Sequence, residues 1–298
     1  MKFAPIVLFV YNRPWHTQQT VESLQKNELA RESELYIYSD APVNSNQIEN
    51  VRKVRNYVKT ITGFKQTIII EREKNWGLAN SIIEGVTKIL KKYEKIIVLE
   101  DDIVTSQFFL SYMNNALTAY TSNLMVMSIS GYSYPISIEK NYKYEIYAFY
   151  RCMSWGWATW EDRWSNVDWE ILEKDKFLFD TELQKSFNRG GEDLSRMLIK
   201  QLNGKIDSWA IRWCFHHFLN EAVCLYPNES YVKNIGFDGT GVHCDVNEHI
   251  AQINLNNKNI DIRFDNIVDE NIVMQIQQLY KRKPFIVKFI NQIIYGKR

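Results

Sequence analysis

The sequence has almost no net charge: 36 basic and 35 acidic side chains leave +1 over 298 residues, so no global field draws it to nucleic acid or to acidic polymers. Long apolar runs are missing too. None approaches the ~20 residues of a membrane span. The opening MKFAPIVLFVYNRP reaches a polar turn too soon for a signal peptide and has no small-residue cleavage site. The four cysteines, Cys152, Cys214, Cys224 and Cys244, have no C-x-x-C spacing, which argues against a zinc knuckle or a redox pair. Free thiols in a cytoplasmic protein are the economical expectation. No G-x-G-x-x-G follows the first apolar run, which argues against a dehydrogenase. Internal repeats and low-complexity stretches are absent. What remains, with 45% hydrophobic residues, suffices for one large core, or for a nucleotide-binding half fused to a smaller acceptor-binding half.

The first ~130 residues alternate strand and helix signals, which predicts βαβ units and a parallel sheet. The run 5–11 (PIVLFVY) reads as a strand buried on both faces. Pro14 then stands where a first helical turn starts, and an amphipathic stretch continues to about Gln25. ELYIYSD (34–40), a polar helix around 46–60, and QTIIIERE (66–73) follow. Leu78, Ile82, Val86 and Ile89 share one helical face. KIIVLE (95–100) is a second buried strand, and a helix near 106–121 leads into VMSISGY (126–132). In such sheets ligands bind beyond the carboxyl ends of the strands. Asn12-Arg13, Ser39-Asp40 and Glu100-Asp101-Asp102 all follow such ends and are expected to converge on one crevice. Beyond ~150 the texture changes to RCMSWGWATWEDRW (151–164), NRGGEDLSR (188–196), DSWAIRWCFHHFLNEA (207–222) and GFDGTGVHC (236–244). This part reads as an acceptor-side lobe packed on the sheet, and the remainder as a peripheral tail.

Glu100, Asp101 and Asp102 carry the sharpest chemical signal. Three carboxylates at the end of a hydrophobic strand are costly unless a cation or N–H donors face them. Hard oxygen ligands suit Mg²⁺ or Mn²⁺, which take few carboxylates and fill the remaining positions with water and diphosphate oxygens. A solvated acidic turn is the bland alternative, and the preceding KIIVL run weighs against it.

IVLFVYNRP, LYIYSDAP, KNWGLANSIIEG and VLEDDIVTSQFF, in that order, resemble the GT-A glycosyltransferases. The resemblance is nearest to the inverting N-acetylglucosaminyltransferase I family, whose metal motif is also Glu-Asp-Asp, and it covers most of residues 4–245. It implies a Rossmann-like α/β domain: a mostly parallel central sheet with helices on both faces and a C-terminal acceptor-side lobe. Residues 1–132 would bind the nucleotide sugar, 133–250 would form the acceptor-binding and catalytic half, and 251–298 a C-terminal extension. It also implies a function: transfer of a sugar from a nucleotide-sugar donor, expected to be UDP-linked with UDP-N-acetylglucosamine as a candidate, to a hydroxyl of a glycan or lipid-linked acceptor. By analogy with similar small transferases, this would serve surface polysaccharide biosynthesis.

Residue by residue, the resemblance gives Arg13 the diphosphate or nucleoside side of the donor, with Asn12 shaping its turn. Asp40 would accept from the base N–H. Asn75, Trp76 and Gly77 would open a helix near the ribose or donor sugar. Glu100 and Asp101 would hold hydroxyls, and Asp102 would bind Mn²⁺ (or Mg²⁺) directly. Trp155, Gly156 and Trp157 resemble the family's aromatic segment beside the donor sugar, with interdomain core as the even alternative. His243 sits where several GT-A enzymes place a C-terminal residue that returns to the metal or diphosphate, and imidazole is an acceptable Mn²⁺ ligand.

An inverting transfer needs one carboxylate base and no enzyme nucleophile. Asp207 follows the Trp-Gly-Trp segment much as the family's base follows its own aromatic segment, though at a different spacing, and a helix N-cap is its structural alternative. Glu192 and Asp193, in a Gly-rich loop, are the rivals. His216 and His217 point to different faces of one helix, as packing residues do. The end, LYKRKPFIVKFINQIIYGKR (279–298), is basic and amphipathic. It suits packing on its own domain, packing on a second subunit in a homodimer, or peripheral contact with an anionic inner membrane face. Two other functions stay open: a non-catalytic member of the same fold, and a sugar nucleotidyltransferase. The second lacks its glycine-rich loop, since YNRPWH follows the first strand.

Overall fold

A continuous apolar run sets the first layer. In IVLFV (β1, Ile6–Val10) every residue is buried. Ile6, Leu8 and Val10 enter one apolar cluster, while Val7 and Phe9 enter another, as the twofold period of a strand requires. Pro14 opens α1 (Pro14–Gln25) at its first position, where its missing N–H costs nothing. The chain continues through β2 (Glu34–Ser39), α2 (Ile48–Val58), β3 (Gln66–Glu71), α3 (Leu78–Leu90) and β4 (Lys95–Glu100). The computed structural model describes residues 3–239 and 253–281.

Within the sheet β1 lies between β2 and β4, parallel to both, and β3 pairs parallel with β2. The chain therefore builds outward from β1 to β3, then returns to place β4 on the other side of β1. That reversal opens a crevice beyond the carboxyl ends of β1 and β4, the usual ligand position in such sheets.

The sheet does not stop at residue 132. After β5 (Ile103–Thr105), α4 (Phe109–Ala119) and β6 (Val126–Ser130), the second half contributes β7 (Ile146–Phe149) and β8 (Trp157–Trp160), the helices α5 (Glu161–Trp164), α6 (Lys174–Phe179), α7 (Thr181–Phe187) and α8 (Leu194–Leu202), and then β9 (Val223–Pro227). The order is β3-β2-β1-β4-β8-β6-β9-β7. Only β7 and β8 run against the rest, so the expected mostly parallel α/β sheet is present. Its helices cover both faces, with α1, α2 and α4 against one cluster and α3 and α9 (Trp209–Leu219) against the other.

Three sequence expectations change. The Trp-rich segment, read as part of an acceptor lobe, supplies a central strand, because WATW buries all four residues and sends Trp157 and Trp160 to opposite clusters. Leu78, placed on the buried face of α3, is 48% exposed, since it is the first helical residue after the Gly77 cap. The C-terminal extension is not peripheral over its described part. Helix α10 (Glu270–Tyr280) buries Ile272, Val273 and Ile276, and the Tyr231 hydroxyl donates to the Lys258 carbonyl at 2.8 Å.

A second, two-stranded sheet pairs β5 antiparallel with β10 (Val232–Asn234). Cys152, Cys214 and Cys224 are buried free thiols. Among the described residues no helix is long and apolar enough to cross a membrane. His243, Cys244 and the basic tail from residue 282 onward lie outside the described residues.

Candidate active site

The acidic turn stands at the crevice. Glu100 ends β4 opposite Phe9 of β1. Asp101 and Asp102 follow in the turn and are only 5% and 6% exposed. The turn is held from both sides: the Thr20 hydroxyl donates to the Asp101 carbonyl at 2.8 Å, and the Ile235 amide donates to the Asp102 carbonyl at 2.9 Å. Arg13, just beyond β1, donates through one guanidinium nitrogen to Asp101 Oδ1 at 2.5 Å and Asp102 Oδ2 at 2.8 Å. Two of the three expected clusters thus meet in direct contact.

One guanidinium against three carboxylates leaves the turn short of positive charge. Burial, with Asp102 and Asp101 adding to it, pushes Glu100 up to about 8. Burial also raises Asp101, against the opposing pull of Arg13. A cation bound beside these carboxyl groups would favour their charged forms.

The loop after β10 closes over the same carboxylates. A Cβ on Gly236 would lie 2.2 Å from Asp102 Oδ2 and 2.9 Å from Arg13 Nη1, so only glycine permits this approach. Asn234 Oδ1 fixes the turn by accepting from the Gly236 amide at 2.7 Å. Buried His16 lies beside the cluster, its Nε2 3.0 Å from Asp238 Oδ2. Neither Gly236 nor His16 was singled out from sequence. For His16 a signal existed, because residues three apart at a helix start share a face and Arg13 lies three positions earlier.

Asp40, at the end of β2, is buried and serves the adjoining turn. Its carboxylate accepts from the amides of Ala41 at 2.9 Å, Trp76 at 3.0 Å and Gly77 at 3.0 Å. Both oxygens are in use, so the expected contact with a base N–H gives way to organising the Asn75–Gly77 turn. Asn75 Nδ2 donates to the Ala41 carbonyl at 2.7 Å, and Gly77 caps α3 at φ +71°, a conformation that favours glycine. The Arg72 guanidinium sits 3.8 Å from the Trp76 ring centre and pairs with Glu84 at 2.5 Å. Lys74, Asn75, Trp76, Asn80, Ile83 and Glu84 line an open cleft of about 410 Å³.

The aromatic segment divides. Trp155 is partly buried and meets the rings of Tyr132 and Phe237 edge-on at 4.7 and 5.5 Å, which places it against the loop that covers Asp102. Gly156 adopts φ +59°, and its carbonyl accepts from the Gly131 amide at 2.7 Å. Trp157 does not face a ligand. It is 1% exposed and stacks between Trp164 and Trp209 at 5.5 and 5.0 Å, so its expected place beside the donor sugar is corrected to the core.

The base candidates are also separated. Asp193 is gripped by Arg151, Nη1 to Oδ1 at 2.8 Å and Nη2 to Oδ2 at 2.9 Å, which occupies both oxygens and disfavours it as a proton acceptor. Glu192 beside it is exposed. Asp207 is more open, its side chain 61% exposed, with one oxygen 2.9 Å from Arg212 Nη2. The helix N-cap is Ser208, not Asp207: Ser208 accepts from the Ile211 amide. Trp209 stacks on Trp157, which pairs with Val98 two residues before Glu100, so α9 starts at the same end of the sheet as the acidic turn. His217 is fully buried. Its Nδ1 is 2.8 Å from the Trp213 carbonyl and its Nε2 is 2.8 Å from the Ser128 hydroxyl. It is a packing residue.

Among the described residues no group of three His, Cys, Asp or Glu side chains is placed to hold a metal. The donor set nonetheless fits a hard cation of the kind that takes one or two carboxylates and completes its shell with water and phosphate oxygens. Asp102 Oδ2 lies against Gly236 and accepts from Arg13 Nη2 at 2.8 Å.

No family model and no curated protein matches this sequence. Solved structures do. A mannosyltransferase from Pyrobaculum calidifontis, PcManGT, solved with GDP-Man and Mn²⁺, matches at 11% identity and TM-score 0.36, over 54% of this chain and 45% of that one. TarS from S. aureus matches at 13% identity and TM-score 0.41, over 78% of this chain and 36% of that one. The chain thus spans less than half the length of either structure, and its function has to be argued from its own site.

Proposed function

We propose that this chain is an inverting, metal-dependent glycosyltransferase of the GT-A type, acting on a nucleotide-sugar donor. One observation carries the reading. At the point where the sheet reverses its strand order, two buried carboxylates, Asp101 and Asp102, share a single guanidinium beside the half-buried Glu100, and a glycine is packed against Asp102. Such a turn has a deficit of positive charge beside a cation that suits diphosphate.

In this reading Asp102 holds Mn²⁺ or Mg²⁺, and His243 is a candidate second ligand. The metal, when bound, stabilises the charge that develops on the departing nucleoside diphosphate. Arg13 then turns its fork from the carboxylates to the diphosphate, a bidentate partner it matches well. Glu100 and Asp101 accept from sugar and ribose hydroxyls. Asn12 shapes the Arg13 turn, and Asp40 holds the Asn75–Gly77 turn, which keeps Trp76 at the cleft wall. Trp155 and Gly156 bound the donor sugar. Asp207 removes the proton from the acceptor hydroxyl as it attacks the anomeric carbon. The donor is UDP-linked, with UDP-N-acetylglucosamine the first candidate, and the acceptor is a glycan or lipid-linked saccharide of surface polysaccharide synthesis.

The test is thermal-shift screening against UDP, GDP, dTDP and CMP sugars with and without Mn²⁺, on wild type and Asp102→Asn. Stabilisation by one nucleotide sugar that needs Mn²⁺ and is lost in Asp102→Asn is the expected result. Equal Mn²⁺ dependence in both proteins would sink the metal assignment. No response to any of the four sugar classes would refute the function.

A further inference from the structure

Asp207 is held by a residue of α9 itself. Arg212, one turn into the helix, is 8% exposed, and each of its three nitrogens has a separate partner. Nε donates to the Ser208 carbonyl at 3.2 Å, Nη1 to the Trp169 carbonyl at 3.2 Å, and Nη2 to Asp207 Oδ1 at 2.9 Å. The backbone on the other side of Asp207 is fixed as well, because the Ser208 amide donates to Gln201 Oε1 at 2.7 Å.

The segment reached through Trp169 is strained. Ile171 has φ +51°, a left-handed conformation that a β-branched residue rarely adopts. Asp168 enforces it: its carboxylate accepts from the amides of Glu170, Ile171 and Leu172 at 3.1, 3.0 and 2.8 Å. Strain of this sort survives only where the surroundings over-determine it, and it gathers at functional sites. The turn buries Ile171 and leaves Leu172 83% exposed.

We propose that Arg212 is the positioning residue of the acceptor side, its guanidinium clamping the Asp207 carboxylate to the strained 168–172 turn. The inference rests on the transferase reading, with Asp207 as its base. Preorganisation of this kind acts on turnover rather than on donor affinity. Three separate acceptors need a planar fork, so a lysine that keeps the charge does not replace it.

The experiment follows UDP release from UDP-N-acetylglucosamine with Mn²⁺, water serving as acceptor, together with amide exchange, in wild type, R212Q, R212K, D168N and D207N. Expected are a ~10²-fold lower kcat in D207N, for loss of a general base, and a ~10-fold or larger loss in R212Q and R212K with donor KM within about twofold. Exchange at residues 170–172 should quicken in R212Q. Faster exchange with wild-type kcat in R212Q or R212K would show a merely structural residue and overturn the proposal. D168N releases the strained turn but spares the guanidinium. If R212Q does not fold, a fall in kcat in D168N supports the clamp and wild-type kcat refutes it. A wild type that neither binds nor turns over this donor or the GDP, dTDP and CMP sugars refutes the transferase reading itself. Exchange then judges the clamp alone, and unchanged protection of 170–172 in R212Q overturns it.

Discussion

Gly236→Ala is the most direct probe of the crevice, because it adds one methyl group and removes no chemistry. The new Cβ would lie 2.2 Å from Asp102 Oδ2, 2.9 Å from Arg13 Nη1 and 3.1 Å from Asn234 Oδ1. The first contact is more than an ångström short of ordinary van der Waals separation. Asp102 cannot swing clear without leaving Arg13, which holds the same oxygen at 2.8 Å, and the loop cannot lift without losing the Gly236–Asn234 hydrogen bond. Overpacking of this kind costs about 1–3 kcal/mol. For a chain of this size 1 kcal/mol moves Tm by roughly 2–4 °C, so a fall of roughly 2–12 °C is expected in the metal-free protein. The functional loss should be larger than the stability loss, because the displaced oxygen is the one assigned to the cation. Differential scanning calorimetry and titration of UDP in the presence of Mn²⁺ measure the two effects separately. A Gly236→Ala protein that binds UDP with unchanged affinity and Mn²⁺ dependence would show that Asp102 is not a metal ligand.

Three further outcomes are expected. Trp157→Ala, which empties a fully buried site among Trp164 and Trp209, should cost about 3–5 kcal/mol in denaturant unfolding, whereas Trp155→Ala should keep the fold and weaken donor binding. Burial drives His217 down to about 3, below its unfolded value of about 6.5. The unfolded chain therefore takes up a proton that the native one refuses, and stability falls by up to ~1.4 kcal/mol per pH unit as pH drops from about 6.5 toward 3. His217→Gln should flatten that slope in urea titrations at pH 7, 5.5 and 4.5. A chain ending at Lys281 keeps the packed α10 and its Tyr280 contacts. If the basic tail contacts anionic lipid, it should co-sediment less than the full chain with phosphatidylserine vesicles at low salt, and the difference should vanish at high salt. Equal sedimentation rules the tail out as an anchor.

Much of the fold of the first half was legible because it is written in local pattern. Continuous apolar runs gave β1 and β4, and Pro14 marked the start of α1 to the residue. The acidic turn stood out because three carboxylates follow a strand that is otherwise wholly apolar. The second half resisted for the opposite reason. WATW has no strand-like alternation of apolar and polar residues, since both of its faces are buried, and its partners β4 and β6 lie far off in the chain.

The same limit governed the site. Arg13 meets Asp101 and Asp102 across 88 and 89 positions, and the ends of β1 and β4 were foreseeable as neighbours from the βαβ pattern. The approach of Gly236 to Asp102 was not, because it depends on β10 pairing with β5, and three-residue strands leave almost no trace in a hydrophobic pattern. Periodicity also records which face of an element is buried, not which polar groups are already spoken for. Nothing in the sequence shows how far Asp40, Asp193 and Asp207 are already engaged. Three backbone amides use up the first, and a bidentate arginine uses up the second. The third keeps most of its surface open and only one oxygen engaged. Of the three carboxylates, Asp207 therefore has the capacity left to take a proton from an incoming hydroxyl.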